Sequence, residues 1–307
     1  MISISVVIPV YNSAEILPDL VKRLLPVLKE HTSQYEVILV NDGSKDNSWK
    51  TIEQHAHEHD ALHGINLMSN YGQHNALLVG LRAAKMEYTV TMDDDLQNPP
   101  EEIPKLIAAI EKDGDVIYGV PESQQHSAAR NLGSILVKFV LNRAMGVENA
   151  RKVNAFRILR TQLRDAFTNY NGSFVSLDLL LSWGTQHFGS VKVRHDKRHS
   201  GSSNYTWKKL FNHAFDVITG FSIVPLQLAS LLGLLFTFLG VLLFIYVMGN
   251  YMVNGAAVPG FTFLATIIAV FSGVQLFALG IIGEYLARMH FRTMGKPYAV
   301  IREITKS

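Results

Sequence analysis

The chain has 307 residues, with 28 Lys and Arg against 26 Asp and Glu, and no cysteine. A formal net charge of +2 gives no case for nucleic acid as a partner. The missing thiols exclude disulfides, thiolate metal sites and cysteine nucleophiles. This length suits roughly two domains, and the positive mean hydropathy comes mostly from the C-terminal third.

The opening run lacks a basic leader and its apolar stretch is short, so no cleavable signal peptide is expected. Residues 3–10 read as a buried strand ending in Pro9-Val10-Tyr11-Asn12, followed by a helix over about 14–30. A second apolar strand, 35–40, runs into Asn41-Asp42-Gly43-Ser44-Lys45-Asp46. Gly43 permits a tight turn there, and Asp46 or Ser44 can cap a helix that runs to about His59. Residues 65–68 form a short third strand, and Asn70-Tyr71-Gly72-Gln73 is a loop before a helix through Ala84. A fourth strand, 88–92, leads into three consecutive acids, then a helix over 101–112 and a fifth strand over 115–118. Pro99 and Pro100 prepare that helix start, where a missing N–H costs nothing. Strands alternating with helices at short spacing predict an α/β domain with a mostly parallel sheet.

The acids Asp93, Asp94 and Asp95 sit where the fourth strand leaves the sheet. Like charges this close repel, and a metal ion is the simplest way to stabilise them. In an extended chain Asp93, Asp95 and Gln97 would share one side. All three offer hard oxygen ligands, which suit Mg²⁺ or Mn²⁺ together with nucleotide phosphates. A solvated acidic turn is the competing reading of this stretch taken alone. Pro9–Asn12, Asn41–Asp46 and Asp93–Gln97 all lie at carboxyl ends of strands, where open α/β sheets bind ligands, and their convergence favours a metal–nucleotide site. No GxGxxG and no GxxxxGK[ST] motif is present, so a Rossmann dinucleotide site or a P-loop is not expected.

Residues 128–145 have a helical apolar stripe, Leu132, Ile135, Leu136, Phe139, Val140 and Ala144, flanked by Arg130, Lys138 and Arg143. Such a helix can lie in a membrane interface or pack on the sheet as an ordinary surface helix. Arg130 and Ser134 share a face and together could hold a phosphate. A strand over 152–159 carries Arg157, read as one half of a structural salt bridge, and a helix over 173–183 carries Asp178. A strand over 190–194 leads into a basic, hydroxyl-rich loop, Arg194 to Tyr205, competent to wrap a phosphate. Residues 205–221 read as an amphipathic entry helix with Trp207 as an interfacial anchor. Two runs free of Asp, Glu, Lys and Arg follow, 223–248 and 261–283, each reaching the roughly 20 residues that span a bilayer. The connection 249–260 has no Lys or Arg, whereas Lys208, Lys209, Arg288, Arg292, Lys296 and Arg302 flank the pair. By the positive-inside rule both termini are expected in the cytoplasm.

These motifs together resemble the inverting GT-A glycosyltransferases, in particular the polyprenyl-phosphate glycosyltransferases such as dolichol-phosphate mannose synthases and bactoprenol glucosyltransferases. The resemblance rests on Val7-Ile8-Pro9-Val10-Tyr11-Asn12, Val40-Asn41-Asp42-Gly43-Ser44-Lys45-Asp46, Met92-Asp93-Asp94-Asp95-Leu96-Gln97-Asn98-Pro99-Pro100, Phe156-Arg157 and Arg198-His199-Ser200-Gly201-Ser202-Ser203-Asn204-Tyr205. It covers essentially the whole chain. It implies a GT-A domain over 1–203, an amphipathic juxtamembrane helix over 204–222, a transmembrane hairpin over 223–286 and a cytoplasmic tail over 287–307.

The activity implied is transfer of one sugar, with inversion, from a UDP- or GDP-sugar to undecaprenyl or dolichyl phosphate at the inner or plasma membrane, for cell-envelope glycan modification. The resemblance places Pro9, Tyr11, Asn12, Asp42, Asp93 and Asp94 at the nucleotide-sugar, and Asp93, Asp95 and Gln97 on a Mg²⁺ or Mn²⁺ cofactor. Arg130, Ser134 and Arg198 would bind phosphate, with Asp95 and Arg198 as the catalytic groups. Membrane lipids are expected partners, nucleic acid is not, and a homo-oligomer is expected. The alternatives are a processive polysaccharide synthase, for which two spans are few and a Gln-x-x-Arg-Trp motif is missing, and a non-catalytic nucleotide-sugar-binding scaffold. Three departures stand out. Ser13 takes the place of a frequent Glu. Lys152-Val153-Asn154-Ala155 lacks the acid often found before the Phe-Arg pair. Pro121-Glu122 replaces an arginine often found after the fifth strand.

Overall fold

The computed structural model describes residues 1–122, 154–172, 176–196, 224–254, 260–295 and 297–305. These fall into two compact units: the first runs to Asp196 and resumes at Gly295, and the second holds two long helices.

The first unit is built on an eight-stranded sheet. Its elements are β1 (Ser3–Val10), α1 (Leu17–His31), β2 (Gln34–Asn41), α2 (Ser48–Glu58), β3 (Leu62–Leu67), α3 (Gln73–Ala83) and β4 (Tyr88–Thr91). A 3-10 turn (Pro100–Glu102), α4 (Ile103–Ile110), β5 (Val116–Pro121), β6 (Arg157–Arg160), a second 3-10 run (Thr161–Phe167), α5 (Leu177–Gly184) and β7 (Phe188–Val193) follow. The last strand, β8 (Ile301–Ile304), comes from the C-terminus. The spatial order is β7-β5-β6-β4-β1-β2-β3-β8. β3, β2, β1 and β4 are mutually parallel, β5 and β7 are parallel, and β6 and β8 run antiparallel to their neighbours.

Alternation along β1 explains the layers. Ile4, Val6, Ile8 and Val10 join Leu17, Leu20, Leu24 and Leu28 of α1 and Ile103, Leu106 and Ile110 of α4 in one core cluster. Each such fully buried aliphatic side chain contributes about 1.5–3 kcal/mol. On the opposite face α3 comes so close that a Cβ on Gly80 would stand 2.3 Å from Val7 Cγ1. Only glycine lets that helix seat against β1. Because the chain winds from β1 outward to β3 and then returns to β4 on the other side, the strand order reverses between β1 and β4. Crevices form at the carboxyl ends of strands at such a point.

Two features differ from the sequence expectation. The strand expected over 152–159 is β6, which begins only at Arg157; residues 151–153 lie outside the described residues. The C-terminal segment supplies β8, unassigned by the sequence reading, because four exposed residues with two charges give little pattern to read. β8 is nonetheless tied in: Thr305 Oγ1 accepts from Gly64 N (2.9 Å), and Asn66 Nδ2 donates to Glu303 Oε1 (2.8 Å).

The second unit is a pair of helices, α6 (Val224–Asn254) and α7 (Phe261–Thr293). Both are long and apolar enough to cross a membrane, over Pro225–Val253 and Val270–Ala287. Phe236 and Phe271 meet edge to face at 5.9 Å. Leu234, Phe244 and Leu276 are 69%, 63% and 67% exposed, a continuous apolar surface that water would penalise heavily. α7 continues ten residues past the charge-free run, from Gly283 to Thr293.

Candidate active site

At the carboxyl edge of the sheet lies a cleft of about 250 Å³. Four segments line it: Pro9, Val10 and Tyr11 at the end of β1, Asp42 after β2, Asn70, Gly72 and Gln73 after β3, and Asp93, Asp94 and Asp95 after β4. A larger groove of about 530 Å³ lies between α6 and α7, but among the described residues its lining is Leu, Phe, Val, Ile and Gly, with no polar side chain for a sugar or phosphate.

The loops are cross-braced. Asn12 adopts φ +54, which Asn tolerates better than most residues. Its N–H donates to Ser44 Oγ (3.0 Å) and its Oδ1 accepts from Lys45 N (2.8 Å). Asn12 is therefore a brace between the β1 and β2 loops and does not line the cleft. Asp46 Oδ1 accepts from the Ser48 hydroxyl and N–H, and Oδ2 from Ala14 N. Burial pushes the Asp46 carboxyl up, but these hydrogen bonds outweigh it and hold the group below its ordinary range. Gly43 sits at φ +65, and a Cβ there would stand 2.4 Å from the Ser69 carbonyl carbon. The expected tight turn thus also packs the β2 loop against the β3 loop.

Asp42 is buried and clamps that third loop. Oδ1 accepts from Tyr71 N (2.7 Å) and Oδ2 from Gly72 N (2.8 Å). Burial raises its carboxyl above the ordinary value, with the two N–H groups opposing. The clamped loop presents Gln73, whose Nε2 donates to Asp93 Oδ1 at 2.6 Å. Gln73, Asn70 and Gly72 are cleft residues that the sequence reading leaves in a plain loop. The signal for them was available: the loop follows a strand of the parallel run and so opens on the same edge.

The acidic run does not lie extended. Leu96 has φ +57, a left-handed conformation costly for a residue with a side chain, and it is held there by burial of the side chain at 3% exposure. The turn brings Gln97 N to Asp95 Oδ1 (3.1 Å). Asp93, Asp95 and Gln97 therefore do not alternate along a strand, which corrects the geometry expected from spacing; Gln97 does not line the cleft. Asp94 turns toward the β1 loop, where Oδ2 accepts from Ser13 Oγ (2.6 Å) and Tyr11 N (3.2 Å). Burial is the main cause that lifts its carboxyl above the ordinary range. The oxygens gathered here are hard donors, the type that fits Mg²⁺ or Mn²⁺.

Behind β4, Arg157 Nε donates to Thr91 Oγ1 (3.1 Å), two residues before Asp93. Arg157 is 2% exposed and ion-paired with Asp178, which also accepts from the Tyr118 hydroxyl (2.8 Å). Burial and the Asp178 charge push the Tyr118 phenol well up. Residues 194–196 dock on the acidic turn: Asp196 N donates to Gln97 O (2.8 Å) and Arg194 N to Glu102 Oε2 (3.1 Å). The basic loop thus starts beside the acids. Arg198 lies outside the described residues, as do Arg130 and Ser134, the helix expected over 128–145 and the entry helix expected over 205–221.

The sequence model of Glycosyl transferase family 2 matches residues 5–171. The undecaprenyl-phosphate 4-deoxy-4-formamido-L-arabinose transferase of Shewanella sediminis is 34% identical over 304 residues, covering 98% of this chain and 92% of that protein. The protein of the same name from Pseudomonas fluorescens (strain Pf0-1) is 35% identical over 306 residues, with 99% and 90% covered. Among solved structures, glucosyl-3-phosphoglycerate synthase from Mycobacterium tuberculosis, in complex with Mn²⁺, UDP-glucose and phosphoglyceric acid, superposes with a TM-score of 0.52 at 15% identity, covering 71% of this chain and 78% of that one. That likeness extends to the fold, a GT-A-like α/β sheet.

Proposed function

The chain belongs to glycosyl transferase family 2, and from that membership we propose that it transfers a single sugar from a nucleotide-sugar to a polyprenyl phosphate at a membrane. The observation that carries the reading is the cleft itself: the loops after β2 and β4 bring Asp42, Asp93, Asp94 and Asp95 to one edge of the sheet, in a chain that also holds two helices of membrane-spanning length. Support for the acceptor class comes from the names of the relatives, which match over almost the whole chain.

In this reading Pro9, Tyr11 and the loop clamped by Asp42 receive the nucleoside. Asp93 and Asp95 hold a divalent ion, with Gln97 and Gln73 beside them. When bound, the ion offsets the charge of the departing nucleoside diphosphate. Arg130, Ser134 and Arg198 take the acceptor phosphate. A phosphate monoester with a second pKa of about 6 is ionised near neutral pH, so its oxygen attacks without a general base. The oxygen forms a bond to the anomeric carbon as the bond to the diphosphate breaks on the opposite side, which inverts the configuration. The missing acid at Lys152-Val153-Asn154-Ala155 is consistent with that chemistry. What the protein contributes is placement of the two anions.

The topology follows from the chain order. Two spans in succession return the chain to its starting side, in keeping with β8, which follows the hairpin in sequence, belonging to the same sheet as β1–β7. With Lys and Arg concentrated outside the hairpin, that side is the cytoplasm. The test is incubation of the full-length protein with undecaprenyl phosphate and a panel of labelled nucleotide-sugars, including an activated 4-deoxy-4-formamido-L-arabinose. The expected result is label in the lipid phase with at least one donor, dependent on added polyprenyl phosphate. Label released only as free sugar contradicts the proposal.

A further inference from the structure

The C-terminal turn of α2 carries a cluster that sugar transfer does not use. His55, Glu58 and His59 stand at positions i, i+3 and i+4, which share one helix face. One ligand atom from each, two imidazole nitrogens and a carboxylate oxygen, all lie within 4.8 Å of one another. His55 Nδ1 is buried and makes no hydrogen bond, and it stands 3.5 Å from Glu58 Oε2. A buried nitrogen left in that state is costly. The His55 and His59 rings lie nearly parallel, 14° apart, with centroids at 6.3 Å. Gln54 Nε2 donates to Glu58 Oε1 (3.0 Å), which leaves Oε2 turned to the cluster.

Two imidazoles and one carboxylate are a familiar three-ligand set for zinc, with water as the fourth ligand. Nitrogen donors favour Zn²⁺, Co²⁺ and Ni²⁺ over the hard ions suited to the acidic cleft. The location separates the two sites. α2 begins at Ser48, which is bonded to the cleft loops. The cluster begins seven residues further along, at His55, and ends at His59, so a rise of 1.5 Å per residue puts it roughly 10–16 Å further on. His59 O accepts from Leu62 N (2.9 Å) at the start of β3, on the edge of the sheet away from the cleft.

We propose that His55, Glu58 and His59 bind a divalent transition-metal ion of the zinc class, apart from the catalytic cleft, and that the ion fixes the end of α2 where it turns into β3. The site stands independently of the sugar-transfer reading. An ordinary i, i+3 ion pair between His55 and Glu58 is the competing account. It does not explain why His59 completes the group.

The test uses tag-free, full-length protein in detergent, stripped of metal and titrated with Co²⁺ in excess Mg²⁺. The expected result is about one Co²⁺ per chain with the visible absorption of a four-coordinate ion, displaced by Zn²⁺ and retained in Asp95→Asn. His55→Ala and His59→Ala should each weaken binding by at least about tenfold, a loss seen even for outer-shell partners of metal sites. His59→Ala, at the helix end, keeps the test open if His55→Ala fails to fold. Wild-type affinity in His59→Ala, or absorption that disappears in Asp95→Asn, overturns the proposal.

Discussion

Asp94 Oδ2 and the Ser13 hydroxyl are 2.6 Å apart, across 81 residues of sequence. The middle acid of the run is thereby committed to the loop after β1, while Asp93 and Asp95 flank it at the cleft. Ser13→Ala removes the donor and leaves a partly buried carboxylate short of one partner, a loss of about 1–3 kcal/mol. Thermal unfolding in detergent should show it. Transfer should fall less than in a variant of Asp95, because the flanking acids keep their own contacts. A variant as stable as wild type would show that water replaces the hydroxyl.

Asp178→Ala should be the most destabilising single change in the sheet domain. It leaves Arg157 buried and unpaired, and breaking such a pair costs about 3–5 kcal/mol. Arg157→Met combined with Asp178→Leu should recover most of that loss, since neither charge then needs a partner. Denaturant unfolding of the three proteins measures the difference. A double variant no more stable than Asp178→Ala would show that the hydrogen bonds from Arg157 to Thr91 and from Tyr118 to Asp178 matter more than the charges do.

Deleting residues 300–307 removes β8 and uncovers the edge of β3. The bonds lost include Met68 N to Val300 O, Thr305 N to Gly64 O, Gly64 N to Thr305 Oγ1 and Asn66 Nδ2 to Glu303 Oε1. At about 0.5–1.5 kcal/mol each, several kcal/mol should go. Donor affinity should fall as well, because Asn66 also receives the Asn41 amide beside Asp42 (2.8 Å). Melting temperature and nucleotide affinity of the truncated protein check both statements. An unchanged melting point would mean that β8 is an ornament on the sheet.

The alternation of strands and helices through residue 122 is legible in the sequence because parallel strands are unbroken apolar runs, as in Val6-Val7-Ile8 and Val37-Ile38-Leu39-Val40. The acids were legible for the same reason, standing directly after such a run. The inward turn of Asp94 was not. Its partners, Ser13 Oγ and Tyr11 N, lie more than 80 residues away in sequence, and the turn that follows it has Leu96 at φ +57, a conformation that leucine does not advertise. Arg157 and Asp178 each stand out as charges in apolar surroundings. Their pairing needs the antiparallel insertion of β6 between β4 and β5, which no local pattern encodes. Gln73 needs the strand order, since only the placement of β3 beside β2 brings its loop to the cleft. Ser13 reads as a departure from the family pattern, whereas the structure gives its hydroxyl to Asp94.

Membrane topology is open to chemistry because the chain has no cysteine. Asn254→Cys puts a single thiol at the end of α6. It should react with an impermeant thiol reagent added to intact cells, as the positive-inside asymmetry requires. Labelling that occurs only after permeabilisation would place the hairpin tip in the cytoplasm.

The most direct measurement is transfer of labelled sugar to polyprenyl phosphate by purified wild type and Asp95→Asn, each over a titration of Mn²⁺. Wild type should need the ion. Asp95→Asn should be folded by thermal unfolding yet slower by on the order of a hundredfold or more, the several kcal/mol that a bound metal ion supplies. Near-normal transfer by Asp95→Asn at limiting Mn²⁺ would contradict the assignment of this cleft as the metal-dependent site of sugar transfer.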